Sequence, residues 1–317
     1  MSVLRLKTIA YLILIIIVLN NPASTFQYAY QGLYQWAVRM VPTLFPFMML
    51  SSIMIYSGAD IELGKLLNIF LKRIYPYSRY GLYAIFMGFL CGFPMGAKVI
   101  SELYENKKIN RSEALSLLGF CNNIGPAYFL GIVLPMLKAC GYHSSIPFLF
   151  GMYGIPAVYG IVLSHVRPPV SCAPALSVQG LAESVPASMP ASMPSVLKKA
   201  CLENTQSLIL LGGYITFTNS FRILLDFVPI SLDISAVASG FVEIIGGIQA
   251  IYTTSLQNPA KVFWIMTTLC FGGVSCFLQT SCFLEKSKLS LLHYFKHKLF
   301  ITLLSALYYG LILYCVH

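Results

Sequence analysis

The hydrophobic positions of this chain fall into long continuous runs, not into the alternating or striped patterns of a soluble domain. Most runs are close to the roughly 20 residues that an α-helix needs to cross a bilayer. The run at 9–19 follows Arg5 and Lys7 and has no clear small-residue cleavage site behind it, which favours an uncleaved anchor helix over a signal peptide. Further spans are predicted at 33–56, 114–137, 146–165, 201–225, 262–284 and 298–316.

Four regions are predicted from these runs and the stretches between them. The basic and apolar stretch 61–79 predicts an amphipathic helix on the membrane surface. A Pro/Ala/Ser-rich stretch, in which PASM occurs twice in succession, predicts a flexible cytoplasmic linker. The predicted regions are an anchor helix (1–32), a first membrane half (33–167), the linker (168–197) and a second membrane half (198–317).

Composition supports the same class of protein. Hydrophobic residues make up 57% of the chain and charged residues 10%, and the mean hydropathy is +0.74, whereas soluble domains carry about 25% charged residues. Only a bilayer can cover this much apolar surface, so we expect an all-α polytopic membrane protein with the lipid bilayer as its first partner. The nine cysteines show no zinc spacing and are interpreted as packing residues, so no metal or cofactor is expected.

The net charge of +10 informs the topology. The basic residues lie in short loops without basic–aromatic patches, so nucleic acid is not an expected partner. If all nine apolar segments span the membrane, the inner and outer loops hold twelve and seven basic residues. If 80–100 and 234–255 instead enter and leave on one side, the counts become sixteen and three, which the positive-inside rule favours. The second arrangement predicts a cytoplasmic N-terminus and two inverted repeats, each with a re-entrant hairpin.

The motif CGFPMGAK interrupts the first of these two segments. Pro94 cannot continue the hydrogen-bond ladder of a helix, and Gly92 and Gly96 permit a turn and close backbone contact. Main-chain groups freed at membrane depth need protein, water or a ligand as partners, and Lys98 follows the break directly. The alternative is a packing kink with a snorkelling lysine.

A second motif, FCNNIGP, places two amides inside an apolar span. Asn122 and Asn123 precede Gly125-Pro126, which again interrupts the helix. Polar side chains beside an unwound helix are typical of a substrate path. Hydrogen bonding between helices is the alternative explanation.

The second half repeats this layout. Glu243 precedes Gly246 and Gly247, and the run FGGVSCFLQ follows with Ser275 and Gln279. A carboxylate in an apolar segment is a functional candidate, because it is costly to bury. Glu243 could bind a cation, hold a proton or pair with the lysine of the first motif.

The blocks PTLFPFMMLSSIM (42–54), GFLCGFPMGAKVISELYENKKINRSEALSLLGFCNNIGPAYF (88–129), GFVEIIGGIQ (240–249) and FGGVSCFLQ (271–279) resemble the YlbJ-type family of sporulation integral membrane proteins. The resemblance implies a multi-pass protein of endospore-forming bacteria with a nucleoside-recognition, or gate, domain. Its hairpin layout is similar to that of concentrative nucleoside transporters.

Two functions are compatible with these observations. The first is binding or transport of a small polar solute, anionic or nucleoside-like. The second is a non-transporting organiser of spore envelope or cortex assembly. No enzyme is expected, because HExxH, GxSxG and paired-aspartate motifs are absent from the sequence, and no catalytic residue is assigned. A homo-oligomer remains open. Substrate-binding candidates are Gly92, Pro94, Gly96, Lys98, Asn122, Asn123, Gly125, Glu243, Gly246, Gly247, Ser275 and Gln279.

Overall fold

The computed structural model describes residues 3–166 and 192–316, and all regular structure within them is helical. The first half contains α1 (Val3–Asn20), α2 (Pro22–Gln35), α3 (Val41–Ser57), α4 (Ala59–Leu71), α5 (Arg79–Cys91), α6 (Met95–Glu105), α7 (Arg111–Leu118), α8 (Pro126–Tyr128), α9 (Leu134–Ala139), α10 (Ile146–Leu149) and α11 (Ile155–Val166). The second half contains α12 (Met193–Ser220), α13 (Ile223–Asp226), α14 (Leu232–Val242), α15 (Ile244–Tyr252), α16 (Asn258–Phe271), α17 (Gly273–Ser287) and α18 (Leu291–Val316). Three π-helical turns join neighbouring helices at Trp36–Met40, Phe129–Val133 and Phe150–Gly154.

Five helical stretches of the described chain are long and apolar enough to cross a membrane: Pro22–Ser57, Ile146–Val166, Met193–Asp226, Asn258–Ser287 and Leu291–Cys315. Large apolar side chains point outward along them, as on α18, where Leu307 and Leu311 are each 67% exposed. A surface that faces lipid explains this exposure, because soluble proteins rarely expose apolar patches of this size to water. The prediction of an all-α polytopic membrane protein is therefore confirmed.

The predicted surface stretch 61–79 is helical only in its first part, in α4, which packs on α5. Leu66, Ile69 and Phe70 are exposed on the same face of α4 as the ion pair of Lys65 with Glu62. The exposed face is therefore mixed, whereas the sequence predicts separate apolar and polar faces for a helix in the membrane interface.

The two halves share one interior. One hydrophobic cluster is built around α5, α6 and α7, and a second around α15 and α16. Phe93, between α5 and α6, packs in the second cluster and so joins the halves. Helix α12 packs along α2 and α3 of the first half. It begins at Met193, before the predicted boundary at 198. Residues 168–191, most of the predicted linker (168–197), lie outside the described residues.

Candidate functional site

The first interrupted hairpin consists of α5 and α6, whose arms pack against each other. Helix α5 ends where Gly92 adopts φ 78° and ψ −170°, a conformation that is essentially restricted to glycine. A Cβ at this position would lie 2.1 Å from the backbone nitrogen of Gly125. The predicted break is therefore present, and its tip is pressed against the second predicted break.

That second break is the irregular segment 119–125 between α7 and α8. The side chain of Asn122 donates to Thr280 Oγ1 at 3.0 Å and to the Tyr294 hydroxyl at 3.1 Å. The side chain of Asn123 donates to the carbonyl of Phe120 at 2.7 Å. Both amide nitrogens are thus engaged by protein groups, but only Asn122 makes the hydrogen bonds between helices that the alternative explanation predicts, since the bond of Asn123 is local.

Helices α14 and α15 form the second hairpin, and Glu243 stands at its tip in an extended conformation. Its carboxylate accepts hydrogen bonds from the backbone N–H groups of Ile245 at 3.0 Å and Gly246 at 2.8 Å. Glu243 is 1% exposed and so caps the N-terminus of α15 from inside the protein. Gly247 allows the arms to meet, because a Cβ there would lie 2.2 Å from Gly240 Cα.

A buried arginine accompanies this carboxylate. A Cβ built on Gly246 would lie 2.5 Å from Arg222 Nη1 and 3.3 Å from Glu243 Oε2, so both groups lie beside the same α-carbon. Arg222 lies in the turn between α12 and α13, and its side chain is only 8% exposed. Its positive charge partly compensates the burial of Glu243.

The broken span of the second half consists of α16 and α17, separated by Gly272 with φ 90° and Gly273 with φ 73°. A Cβ on Gly273 would lie 3.2 Å from the carbonyl oxygen of Val242, at the tip of the second hairpin. Each half therefore has a hairpin whose tip rests on a broken span. The opposite orientation of the two halves stays a prediction.

A cavity of about 470 Å³ lies between the two hairpin tips. Four of the predicted site residues line it: Gly125, Glu243, Ser275 and Gln279. Other lining residues lie next to the helix breaks: Cys91, Phe93 and Ile244. Arg39 and Thr43, from the predicted span 33–56, also line the cavity. The other predicted candidates are not part of the wall: Gly92, Pro94, Gly96, Lys98, Asn122, Asn123, Gly246 and Gly247.

Unsatisfied polar atoms surround this cavity. Ser275 Oγ, Gln279 Oε1 and the Tyr128 hydroxyl are buried and have no hydrogen-bond partner among the described residues. Ser275 and Gln279 lie one helical turn apart on α17 and so face the same side. Buried polar atoms normally have partners, and these three all belong to residues that line the cavity. Sequence reasoning missed Tyr128, since tyrosine is ordinary in an apolar span.

Lys98 does not belong to this arrangement. Its ammonium pairs with Glu102 one turn along α6 and donates to Ser52 Oγ at 2.9 Å. The suggested pairing of Lys98 with Glu243 is therefore wrong. A second lysine, Lys298, which is the first residue of the predicted span 298–316, is buried against segment 119–125. Its position beside the basic residues at the start of α18 gave no sequence signal of burial.

The described residues contain no group of three or more His, Cys, Asp or Glu side chains that could hold a metal ion. The polar groups at the cavity are instead the Glu243 carboxylate, the Arg39 guanidinium, hydroxyls and an amide oxygen. Such groups recognise an organic solute through hydrogen bonds.

Comparison with known proteins identifies one similar relative. The chain is 26% identical over 311 residues to the sporulation integral membrane protein YlbJ of Bacillus subtilis (strain 168), covering 87% of this chain and 74% of that protein. No family model matches the chain, and no solved structure gives a significant match. The relative is an integral membrane protein, and the described chain has five helices long enough to span a bilayer. This similarity supports the resemblance of the chain to the YlbJ-type family of sporulation integral membrane proteins.

Proposed function

We propose that this protein binds a small, uncharged polar solute between its two interrupted hairpins and carries it across the bacterial cell membrane during spore formation. The observation that carries the proposal is the 470 Å³ cavity, whose wall presents unpartnered atoms of Ser275, Gln279 and Tyr128 beside Glu243. Its volume lies within the range of pockets that bind small molecules. The role in spore formation comes from the printed name of the relative.

The chemistry of the wall defines the class of solute. Gln279 Oε1 is an acceptor, and the hydroxyls of Ser275 and Tyr128 can accept or donate. Two side chains of opposite charge line the cavity: Glu243 would repel an anion, and Arg39 would repel a cation. The cavity therefore favours an uncharged molecule with several N–H or O–H donors, such as a nucleoside. An anionic solute was expected to meet Lys98, but that lysine is paired elsewhere.

Transport is supported by the position of the cavity. Irregular backbone at membrane depth is tolerated where it is buried in protein or lines a cavity, and binding sites of secondary transporters form between broken helices. Here the tips at Phe93 and Glu243 both reach the cavity. A small displacement of either tip would open the cavity to one side. The proposal assigns no catalytic step to any residue.

Uptake into proteoliposomes tests the proposal. Radiolabelled uridine, inosine, ribose and glycerol serve as uncharged probes, and uridine monophosphate and inorganic phosphate serve as anions. We expect uptake of at least one uncharged probe above protein-free liposomes. We expect Gln279→Ala to reduce it about tenfold, the effect of one lost hydrogen bond. Gln249→Ala is the matched control, because Gln249 is exposed on α15 and does not line the cavity.

Two results would contradict the proposal. Preferential uptake of either anion would overturn the solute class. No uptake of any probe, together with normal counts of heat-resistant spores in cells carrying Gln279→Ala, would remove the binding site altogether. The organiser function would then be the better explanation.

A further inference from the structure

A buried lysine meets the main chain at the first broken span. The ammonium of Lys298 donates to the carbonyl oxygen of Asn122 at 3.0 Å and to the side-chain oxygen of Asn123 at 3.1 Å. It lies 5.5 Å from the centre of the Phe93 ring, within the range of a cation–π interaction. The charge is therefore held by two neutral oxygens and one aromatic face.

Burial makes this arrangement costly. Lys298 is 2% exposed, and no carboxylate in the described parts of the chain lies within ion-pair distance of its ammonium. Removing an ammonium from water costs several kcal/mol even after the protein relaxes. A methionine would fill a similar volume without this cost. A positive charge at this position therefore needs a reason beyond packing.

The oxygens provide that reason. Interrupted membrane helices leave carbonyl oxygens free, and such oxygens coordinate the monovalent ions of many transporters. We infer that the oxygens of Asn122 and Asn123 form a monovalent-cation site, and that the tethered ammonium of Lys298 fills it permanently. The protein therefore carries its own cation, and no dissolved ion is needed to hold the first hairpin against the broken span.

Phe93 connects the site around Lys298 to the cavity. Phe93 lines the cavity, faces the ammonium with its ring and donates its backbone N–H to the carbonyl of Asn123. Loss of the Lys298 charge would remove the contacts that hold Phe93 in the cavity wall. We also expect solute transport to be independent of sodium, and this expectation alone rests on the proposed function.

Thermal unfolding of the detergent-solubilised full chain tests the cation site without any assay of transport. The variants are Lys298→Ala, which opens the site, and Lys298→Met, which removes the charge but keeps the side-chain volume. Each is measured in equal concentrations of potassium, ammonium and N-methylglucamine chloride, the last cation being too large to enter. Lys296→Ala is the matched control, because Lys296 is exposed on the same helix.

We expect the wild-type protein and Lys296→Ala to unfold at the same temperature in all three salts. Lys298→Met should unfold at least about 5 °C lower in every salt, as expected for a loss of two or more kcal/mol. Lys298→Ala should be equally weakened in N-methylglucamine but recover several degrees in potassium or ammonium. Wild-type stability of Lys298→Met, or the same melting temperature of Lys298→Ala in all salts, would overturn the inference. A lack of solute flux would contradict only the proposed function.

Discussion

The tip of the second hairpin provides the sharpest test of the site geometry. Glu243→Gln keeps the shape of the side chain but replaces one carboxylate oxygen with an NH₂ group. In the wild-type protein both oxygens accept backbone hydrogen bonds, at 3.0 and 2.8 Å. In the variant one amide N–H of α15 faces another donor, and Arg222 loses the negative charge beside it.

The magnitude follows from these contacts. A hydrogen bond to a charged group contributes about 1.5–3 kcal/mol, and an uncompensated buried charge adds to the loss. We therefore expect Glu243→Gln to lower the free energy of unfolding by about 3 kcal/mol. Since each kcal/mol shifts the melting temperature of a large domain by about 2–4 °C, the expected decrease is roughly 6–12 °C.

With the exposed Cys201 and Cys315 replaced, a thiol-reactive dye measures this shift in detergent, because the buried Cys121 and Cys270 react on unfolding. Glu285→Gln is the control, since Glu285 is exposed and should shift the melting temperature by about 1 °C at most. Arg222→Met combined with Glu243→Gln should recover part of the loss, because both buried charges are then removed. A melting temperature of Glu243→Gln within about 1 °C of wild type would refute the role of Glu243 as a buried cap.

Three further predictions follow from the first half and the predicted topology. Gly92→Ala should prevent accumulation of the folded protein, because φ 78° and a 2.1 Å contact exclude a Cβ, whereas Gly213→Ala, with open space around it, should accumulate normally by immunoblotting. Lys98→Met should lower the free energy of unfolding by about 3 kcal/mol in the same dye assay, and adding Glu102→Gln should restore most of it, since these two charges pair. A cysteine at position 288, in a background without other exposed cysteines, should be labelled only from the cytoplasm, and labelling from outside would contradict the double-hairpin topology.

Local backbone rules made the helix breaks predictable. Gly92 and Pro94 interrupt a helix wherever it packs, so the break between α5 and α6 could be located from the sequence. The same holds for Gly272 and Gly273, whose positive φ angles separate α16 from α17. Runs of apolar residues likewise located the five helical stretches long enough to cross a membrane, because bilayer thickness sets their length. The predicted span 114–137 is instead divided into α7, the irregular segment 119–125 and the helical residues from Pro126 onward.

The partners of buried charges were not predictable in this way. Lys98 and Glu243 lie in similar apolar surroundings in the sequence, yet the first pairs within its own helix and the second caps one. Lys298 was predicted as the first residue of the span 298–316, and only the packing of α18 on segment 119–125 reveals its contacts. Pairing across the fold depends on tertiary geometry, which spacing along the chain does not encode.

The π-helical turn at Trp36–Met40 determines which faces of the first long span meet α12. The amide of Val41 donates to the carbonyl of Trp36, so this turn contains one residue more than an α-helical turn. Gly32 before the turn and Ser52 after it both contact α12, yet an uninterrupted helix would place them about 200° apart around its axis. The extra residue takes up about half of this angle. Deletion of a single residue within 36–40 would therefore rotate α3 by about 100° relative to α2, turning Leu44 and Met48 out of the interior and Arg39 away from the cavity.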